Sequence, residues 1–238
     1  LKETYRPDHI SFVDDIMGLT PGWLQTFAQQ VEAQHAEVPF KSLSRADLLM
    51  REGAVDALRR AGCRTVWIGA ESGSQKVLDA MEKGTRVEQI RTVTARLHAA
   101  GIEVGFFLQF GYPGETWQDI RRTLRLVWDC MPDDIGASVS YPLPGTAFYG
   151  RVAGELGEKR NWQDSDDLAM LYRGPFPTAF YRELHVALHR EYRVRRAWAA
   201  LIVGLTLLSY FPVLRAGFIW DDDAYVTKNA TLQTARGL

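Results

Sequence analysis

Through the first 142 residues, short apolar β-branched runs alternate with longer amphipathic stretches. This alternation restricts the fold more than any other feature. The runs HISFVDD (9–15), VPFKSLS (38–44), RTVWIGAES (64–72), EVGFFLQFG (103–111) and IGASVSYP (135–142) read as strands. Between them the apolar residues recur at helical spacing, over WLQTFAQQVEA, a helix or helix pair in 46–62, SQKVLDAM, RVEQIRTVTARLHAAG and WQDIRRTLRLVWDCM. Thr20-Pro21-Gly22 reads as the first helix start, with Thr20 as N-cap and Pro21 at the first helical position. Strands interleaved with helices predict βαβ units and a parallel sheet, an α/β fold. The near-continuous apolar runs predict strands covered on both faces.

Each strand run ends in polar or glycine-rich residues: Asp14-Asp15, Ser44-Arg45, Glu71-Ser72-Gly73, Gly111-Tyr112-Pro113-Gly114-Glu115 and Tyr141-Pro142. Parallel α/β folds bind ligands at the C-terminal ends of their strands. Polar groups at every strand end fit the shared mouth of a barrel better than an open sheet, which uses mainly its switch point. Pro113-Gly114 suits a type II turn, and Ser74 is placed to cap the helix that follows. Neither a P-loop nor a GxGxxG sequence occurs, so the acidic, glycine-rich strand ends suit a polar organic ligand better than a bare phosphate.

Charge and cysteine content narrow the function. With 28 Lys+Arg against 29 Asp+Glu the net charge is −1, which gives no electrostatic reason to expect a nucleic-acid partner. Two cysteines, Cys63 and Cys130, exclude a disulfide-stapled scaffold and point to a reducing compartment. Neither sits at a strand tip, so both read as small buried hydrophobes. His185 and His189 lie i, i+4 on one helix face but lack the HExxH pattern, which favours a structural role over a metal site. Glu71 and Glu115 leave a carboxylate-based barrel hydrolase as a rival reading.

The C-terminal part breaks the rhythm. Residues 147–196 mix aromatics with charges and read as an extension packed on a barrel of residues 1–146. Residues 197–214 carry no charge, long enough to predict a transmembrane helix within 197–218; a buried helix ended by Pro212 is the alternative. Arg190, Arg193, Arg195 and Arg196 precede the run and Asp221–Asp223 follow it, so the barrel side is expected to be cytoplasmic and 219–238 to begin a non-cytoplasmic segment. A membrane-anchored, non-catalytic binding module is therefore a further alternative. The chain opens on Leu1 and reads as a fragment.

The segments GCRTVWIGAESGSQKVLDAMEKGTRVEQI, GYPGET, ISFVDD and SVSYPLPGTAFY together resemble radical S-adenosylmethionine enzymes. They most resemble the branch with an upstream cobalamin-binding domain, such as the anaerobic cyclase of bacteriochlorophyll synthesis and the hopanoid-pathway radical enzymes. The resemblance covers about residues 1–196 and implies a truncated partial TIM-type (β/α)₆ barrel. It further implies S-adenosylmethionine and a 4Fe-4S cluster as cofactors, cobalamin in the intact protein, an electron donor, and a small-molecule or lipid-like substrate. The reaction it implies is methyl transfer or oxidative cyclisation through 5′-deoxyadenosyl radical chemistry.

Residue by residue, the resemblance places Asp14 and Asp15 at the methionyl amino group, and Glu71, Ser72 and the adjoining Gly73 at the ribose or methionyl part. Arg45 would meet the carboxylate. The strand Gly105–Gly111 with Gln109, the Pro113-Gly114 turn, and Tyr141 and Pro142 would line the adenine. The family's CxxxCxxC cluster motif is absent, so metal ligands from this chain are expected to be none and the chain alone to be catalytically silent. The last 40 residues, with FIWDDDAYVTKNATLQTARGL, are similar to the start of membrane glycosyltransferases that carry tetratricopeptide repeats.

Overall fold

A computed structural model describes residues 2–156 and 168–215, with side chains to residue 209. After a one-turn helix α1 (Lys2–Tyr5), five strands follow: β1 (Ile10–Ser11), β2 (Phe40–Ser44), β3 (Cys63–Glu71), β4 (Glu103–Phe110) and β5 (Asp134–Val139). They form one sheet in the order β1-β2-β3-β4-β5, every neighbouring pair parallel. Sequential order with parallel pairing requires a crossover on the same side after each strand, and helices supply them. These are α2 (Trp23–Ala33), the pair α3 (Ala46–Leu49) and α4 (Ala54–Arg60), α5 (Gln75–Ala80) and α6 (Val87–Ala99), and α7 (Trp117–Cys130). The result is a parallel α/β half-barrel, in keeping with a partial TIM-type barrel.

The first strand is shorter than the run 9–15 suggests, because only Ile10 and Ser11 pair with β2 and Asp14 and Asp15 lie beyond the ladder. Helix α2 starts at Trp23 rather than Pro21, since Gly22 at its N-cap takes a left-handed backbone (φ 79°). The stretch 46–62 is a helix pair, divided where Gly53 takes φ 70°.

The strands are not covered on both faces. Val66, Ile68 and Ala70 of β3 and Val104, Phe106 and Leu108 of β4 are buried on one face, where Leu58, Ile90, Val93, Leu97, Ile120 and Leu126 of the helices complete the core. Residues of opposite parity, Trp67, Gly69 and Glu71 with Phe107 and Gln109, face the other way and stay partly open. There the rings of Trp67 and Phe107 lie 4.6 Å apart. Gly105 makes room for them: a Cβ at that position would stand 2.4 Å from the Trp67 ring. One face is thus a helix-covered core, and the other is the concave interior of the half-barrel.

Beyond the sheet lie α8 (Ala147–Val152), capped by Thr146, and α9 (Thr178–Arg215). The chain divides into two compact units, one ending at His189 and the other beginning at Arg190. Phe148, Tyr172 and Tyr181 tie the extension to the end of β4. The rings of Phe148 and Tyr112 are 4.9 Å apart, and the Tyr172 hydroxyl donates to the Gly111 carbonyl.

The separate transmembrane helix expected at 197–218 is not seen. Residues 197–215 continue α9, and among the described residues no helix is long and apolar enough to cross a membrane. The segment expected at 219–238, with its glycosyltransferase-like sequence, lies outside the described residues.

Candidate functional site

Because all five strands are parallel, the loops after Ser11, Ser44, Glu71, Phe110 and Val139 emerge from one edge of the sheet. A cavity of about 580 Å³ opens at the ends of β3, β4 and β5, within the usual size range of small-molecule sites. Glu71, Gln109 and Tyr141 line it from the strand ends, with Tyr112, and Lys83 from the loop after α5.

Glu71 stands beside an irregularity in β3. Gly69 pairs with Phe107 and Glu71 with Leu108, so Ala70 is an extra residue in the ladder. The bulge leaves Glu71 at φ 55°, a left-handed conformation uncommon for a side-chain-bearing residue. Its Oε1 accepts from Lys83 Nζ at 2.6 Å. Gly69 leaves the space for that contact, since a Cβ there would come 2.8 Å from Glu71 Oε1 and 2.9 Å from Lys83 Nζ.

Arg45 is not free to meet a ligand carboxylate. Its guanidinium is forked by Asp47 (2.9 and 3.1 Å), and Nη2 donates to the Lys83 carbonyl at 2.9 Å. It therefore braces the loop that carries Lys83. Lys83 is a cation at the cavity, and nothing in its sequence position marked it as one.

Ser72 and Gly73 turn away from the cavity into α7. The Ser72 and Thr123 hydroxyls are 3.1 Å apart, and the Gly73 amide donates to Thr123 Oγ1 at 2.9 Å. Gly73 is required by closeness: a Cβ there would fall 2.2 Å from the Arg122 carbonyl oxygen. Ser74 precedes α5 but does not cap it; its hydroxyl donates instead to Asp119 Oδ1 at 2.7 Å.

Asp119 is buried and collects Lys76 Nζ (2.7 Å), Arg122 Nη1 (2.7 Å) and the Thr116 amide and hydroxyl. Burial alone would push its carboxyl up, but these donors hold it well below the usual carboxylate range. The sequence signal for it was the Thr116-x-x-Asp119 capping box, which the structure forms.

The turn at Gly111–Glu115 forms as expected, with the Glu115 amide donating to the Tyr112 carbonyl at 2.9 Å and Gly114 at φ 81°. Pro113 and Gly114 are exposed on its outer side, and Gly111 is covered by Met170 and Tyr181. Glu115 is buried, its Oε2 accepting the Gly111 amide at 2.7 Å while Oε1 has no partner. Burial pushes its carboxyl up to about 7. Glu115 does not line the cavity that holds Glu71, which removes the paired-carboxylate geometry the hydrolase reading requires.

The remaining predicted residues divide. Asp14 and Asp15 are exposed, and Asp14 lines a smaller cavity of about 210 Å³ with residues of the 16–20 loop and Trp23. They share the sheet edge with Glu71 but not its cavity. Pro142 is buried, and Gly105 lies well down β4 beneath Trp67.

The thiols lie at the opposite edge: Cys63 opens β3 and Cys130 closes α7. Burial pushes Cys63 up to about 12 and Cys130 up to about 11, which disfavours the thiolates that metal ligation needs. The rings of His185 and His189 are 4.4 Å apart, and among the described residues no group of three or more His, Cys, Asp and Glu is placed to hold a metal. The described residues therefore do not fit a 4Fe-4S cluster, which requires at least three thiolates at one place. A carboxylate, an amide and aromatic rings do line one cavity, in Glu71, Gln109, Tyr112 and Tyr141.

An uncharacterised methyltransferase of Pyrococcus horikoshii is 24% identical over 161 residues, 67% of this chain and 35% of its own. A tRNA-2-methylthio-N(6)-dimethylallyladenosine synthase of Geotalea uraniireducens is 35% identical over 98 residues, 40% of this chain and 22% of its own. Among solved structures, the cobalamin- and [4Fe-4S]-bound radical S-adenosylmethionine methyltransferase TsrM of Kitasatospora setae aligns with a TM-score of 0.49 at 20% identity, covering 56% of this chain and 27% of that one. None of these bears out the glycosyltransferase likeness of the tail. The chain spans about a third or less of the length of these curated relatives. The family described as the Radical SAM superfamily matches residues 5–127, just over half of the sequence, and the chain belongs to that superfamily.

Proposed function

We propose that this chain is the S-adenosylmethionine-binding part of a radical S-adenosylmethionine enzyme that transfers a methyl-derived group to a small molecule. The observation that carries the reading is the cavity at the ends of β3–β5, which Glu71, Gln109 and Tyr141 line together. Bound there, S-adenosylmethionine supplies the transferable methyl group or the adenosyl radical. Glu71 orients the ligand's ammonium or ribose hydroxyls, and Lys83 fixes the rotamer of Glu71. Gln109 offers an amide to the adenine edge, and Tyr141 gives a flat wall. Group transfer is preferred to cyclisation because the relatives' names include methyl and methylthio transfer. The cluster thiolates, the electron donor and any cobalamin belong to the intact enzyme in this reading. Asp14, Asp15 and Arg45 are outside the proposed contact set.

The tail has a proposed role of its own. Trp198, Leu201, Ile202, Val203, Leu205, Leu207 and Leu208 are exposed on successive positions right round α9, which supports association with a lipid surface. Arginines at 190, 193, 195 and 196 would meet the lipid headgroups.

Equilibrium binding of S-adenosylmethionine to the full 238-residue chain tests the main reading. Measurable binding that weakens about tenfold or more in Glu71→Gln, with unchanged far-UV circular dichroism, is the expected result. Absence of binding, or indifference to the substitution, refutes it.

A further inference from the structure

The cavity has a second wall, built by residues outside the sheet. Thr146, Phe148 and Arg151 enter it from α8 and the turn before, opposite the strand-end residues. Thr146 starts this helix by accepting the Tyr149 amide at 3.1 Å, which fixes where Phe148 and Arg151 point.

Four charged side chains line the cavity. Glu71 and Lys83 neutralise each other at 2.6 Å. Glu82, exposed in the turn after α5, makes no ion pair among the described residues. Arg151 likewise has no carboxylate within 4.0 Å among the described residues.

Yet Arg151 is not a loose surface side chain. Its Nη2 donates to the Tyr112 hydroxyl at 2.5 Å, and its guanidinium carbon stands 5.7 Å from the Tyr112 ring centroid. Tyr112 is itself fixed: its hydroxyl donates to the Ala80 carbonyl at 2.8 Å and its ring packs on Phe148. One of the five guanidinium N–H donors is used, and the rest of a rigid fork remains available. A guanidinium held in this way, with aromatic rings beside it, suits a carboxylate or phosphate joined to a flat apolar body.

We propose that Arg151 recognises an anionic group on the substrate, and that the α8 wall of the cavity, with Phe148 and Tyr112, takes the substrate's apolar portion. This assignment rests on the cofactor reading only in giving the opposite wall to S-adenosylmethionine. Since S-adenosylmethionine also carries a carboxylate, the two sources of the anion must be separated.

The probes are phenylacetate and its neutral counterpart phenylacetamide, titrated into the full chain by ligand-observed NMR, with S-adenosylmethionine titrated separately. The wild-type chain is expected to bind phenylacetate about tenfold more tightly than phenylacetamide. Arg151→Gln should equalise the two without changing the affinity for phenylacetamide or S-adenosylmethionine. Tyr112→Phe, which removes the hydroxyl that holds the guanidinium, should lower the preference in part. No phenylacetate binding, equal binding of the two probes to the wild type, or a preference that survives Arg151→Gln would overturn the proposal. So would a tenfold loss of S-adenosylmethionine affinity in Arg151→Gln with phenylacetate unchanged, which assigns the guanidinium to the cofactor. A chain that shows the anion preference but never binds S-adenosylmethionine supports the role of Arg151 while refuting the cofactor reading.

Discussion

Replacing Gly73 by alanine tests whether the loop after β3 is locked against α7. The added Cβ would stand 2.2 Å from the Arg122 carbonyl oxygen, 2.6 Å from its carbon and 2.8 Å from Thr123 Cα. These are backbone atoms in the middle of a helix, so no side chain can swing aside to relieve the contact. Overpacking of this kind costs about 1–3 kcal/mol. If the loop withdraws instead, it gives up the Gly73 amide bond to Thr123 Oγ1 and the Ser72–Thr123 contact, each worth about 1 kcal/mol. By either route the expected loss is about 1–3 kcal/mol, or about 2–12 °C in Tm for a chain of this size. Gly69→Ala is the control. Its Cβ meets only Glu71 Oε1 at 2.8 Å and Lys83 Nζ at 2.9 Å, the movable ends of long side chains, so its cost should stay below about 1 kcal/mol. Urea unfolding followed by far-UV circular dichroism measures both. The reasoning fails if Gly73→Ala falls within about 0.5 kcal/mol of wild type, or if Gly69→Ala costs as much.

Three further outcomes follow. Burial raises the Glu115 carboxyl from 4.5 to about 7, so the folded state holds its proton more tightly than the unfolded chain; stability should fall as pH rises from about 4.5 to 7, by a few kcal/mol in all, and unfolding of Glu115→Gln across that range should show a flatter profile. Anaerobic iron–sulfide reconstitution of the 238-residue chain should leave no stoichiometric four-iron cluster, because Cys63 and Cys130 are buried thiols at the far edge of the sheet; an electron paramagnetic resonance signal matching a full cluster would contradict this. If the apolar part of α9 binds lipid, the full chain should resist carbonate extraction while a chain ending at Arg196 should not, and equal behaviour of the two would count against the tail's proposed role.

The elements and their class follow from local sequence. Strand runs and helical spacing follow from which residues are apolar, and that is a local property. The division of 46–62 at Gly53, the turn at Pro113-Gly114 and the capping box at Thr116 were equally local, because each depends on the backbone preference of one or two residues. The parallel sheet then placed every strand end on one edge, as the order of elements required.

Only the tertiary structure decided which polar residues at that edge face a ligand. Ser72 is held by Thr123, 51 positions away, and Ser74 by Asp119, 45 positions away; no local pattern reports such partners. The resemblance places Arg45 at a ligand carboxylate, but Asp47 already occupies its guanidinium. Glu115 looked like an available acid, yet the turn folds it back onto Gly111. Glu71 shares the open face with Trp67 and Gly69, and Lys83 and Arg151 join it in the cavity from elements outside the sheet. A strand alternates its side chains with period two, so the sequence of β3 tells which residues share a face, but which face stays open depends on the helices packed against the sheet.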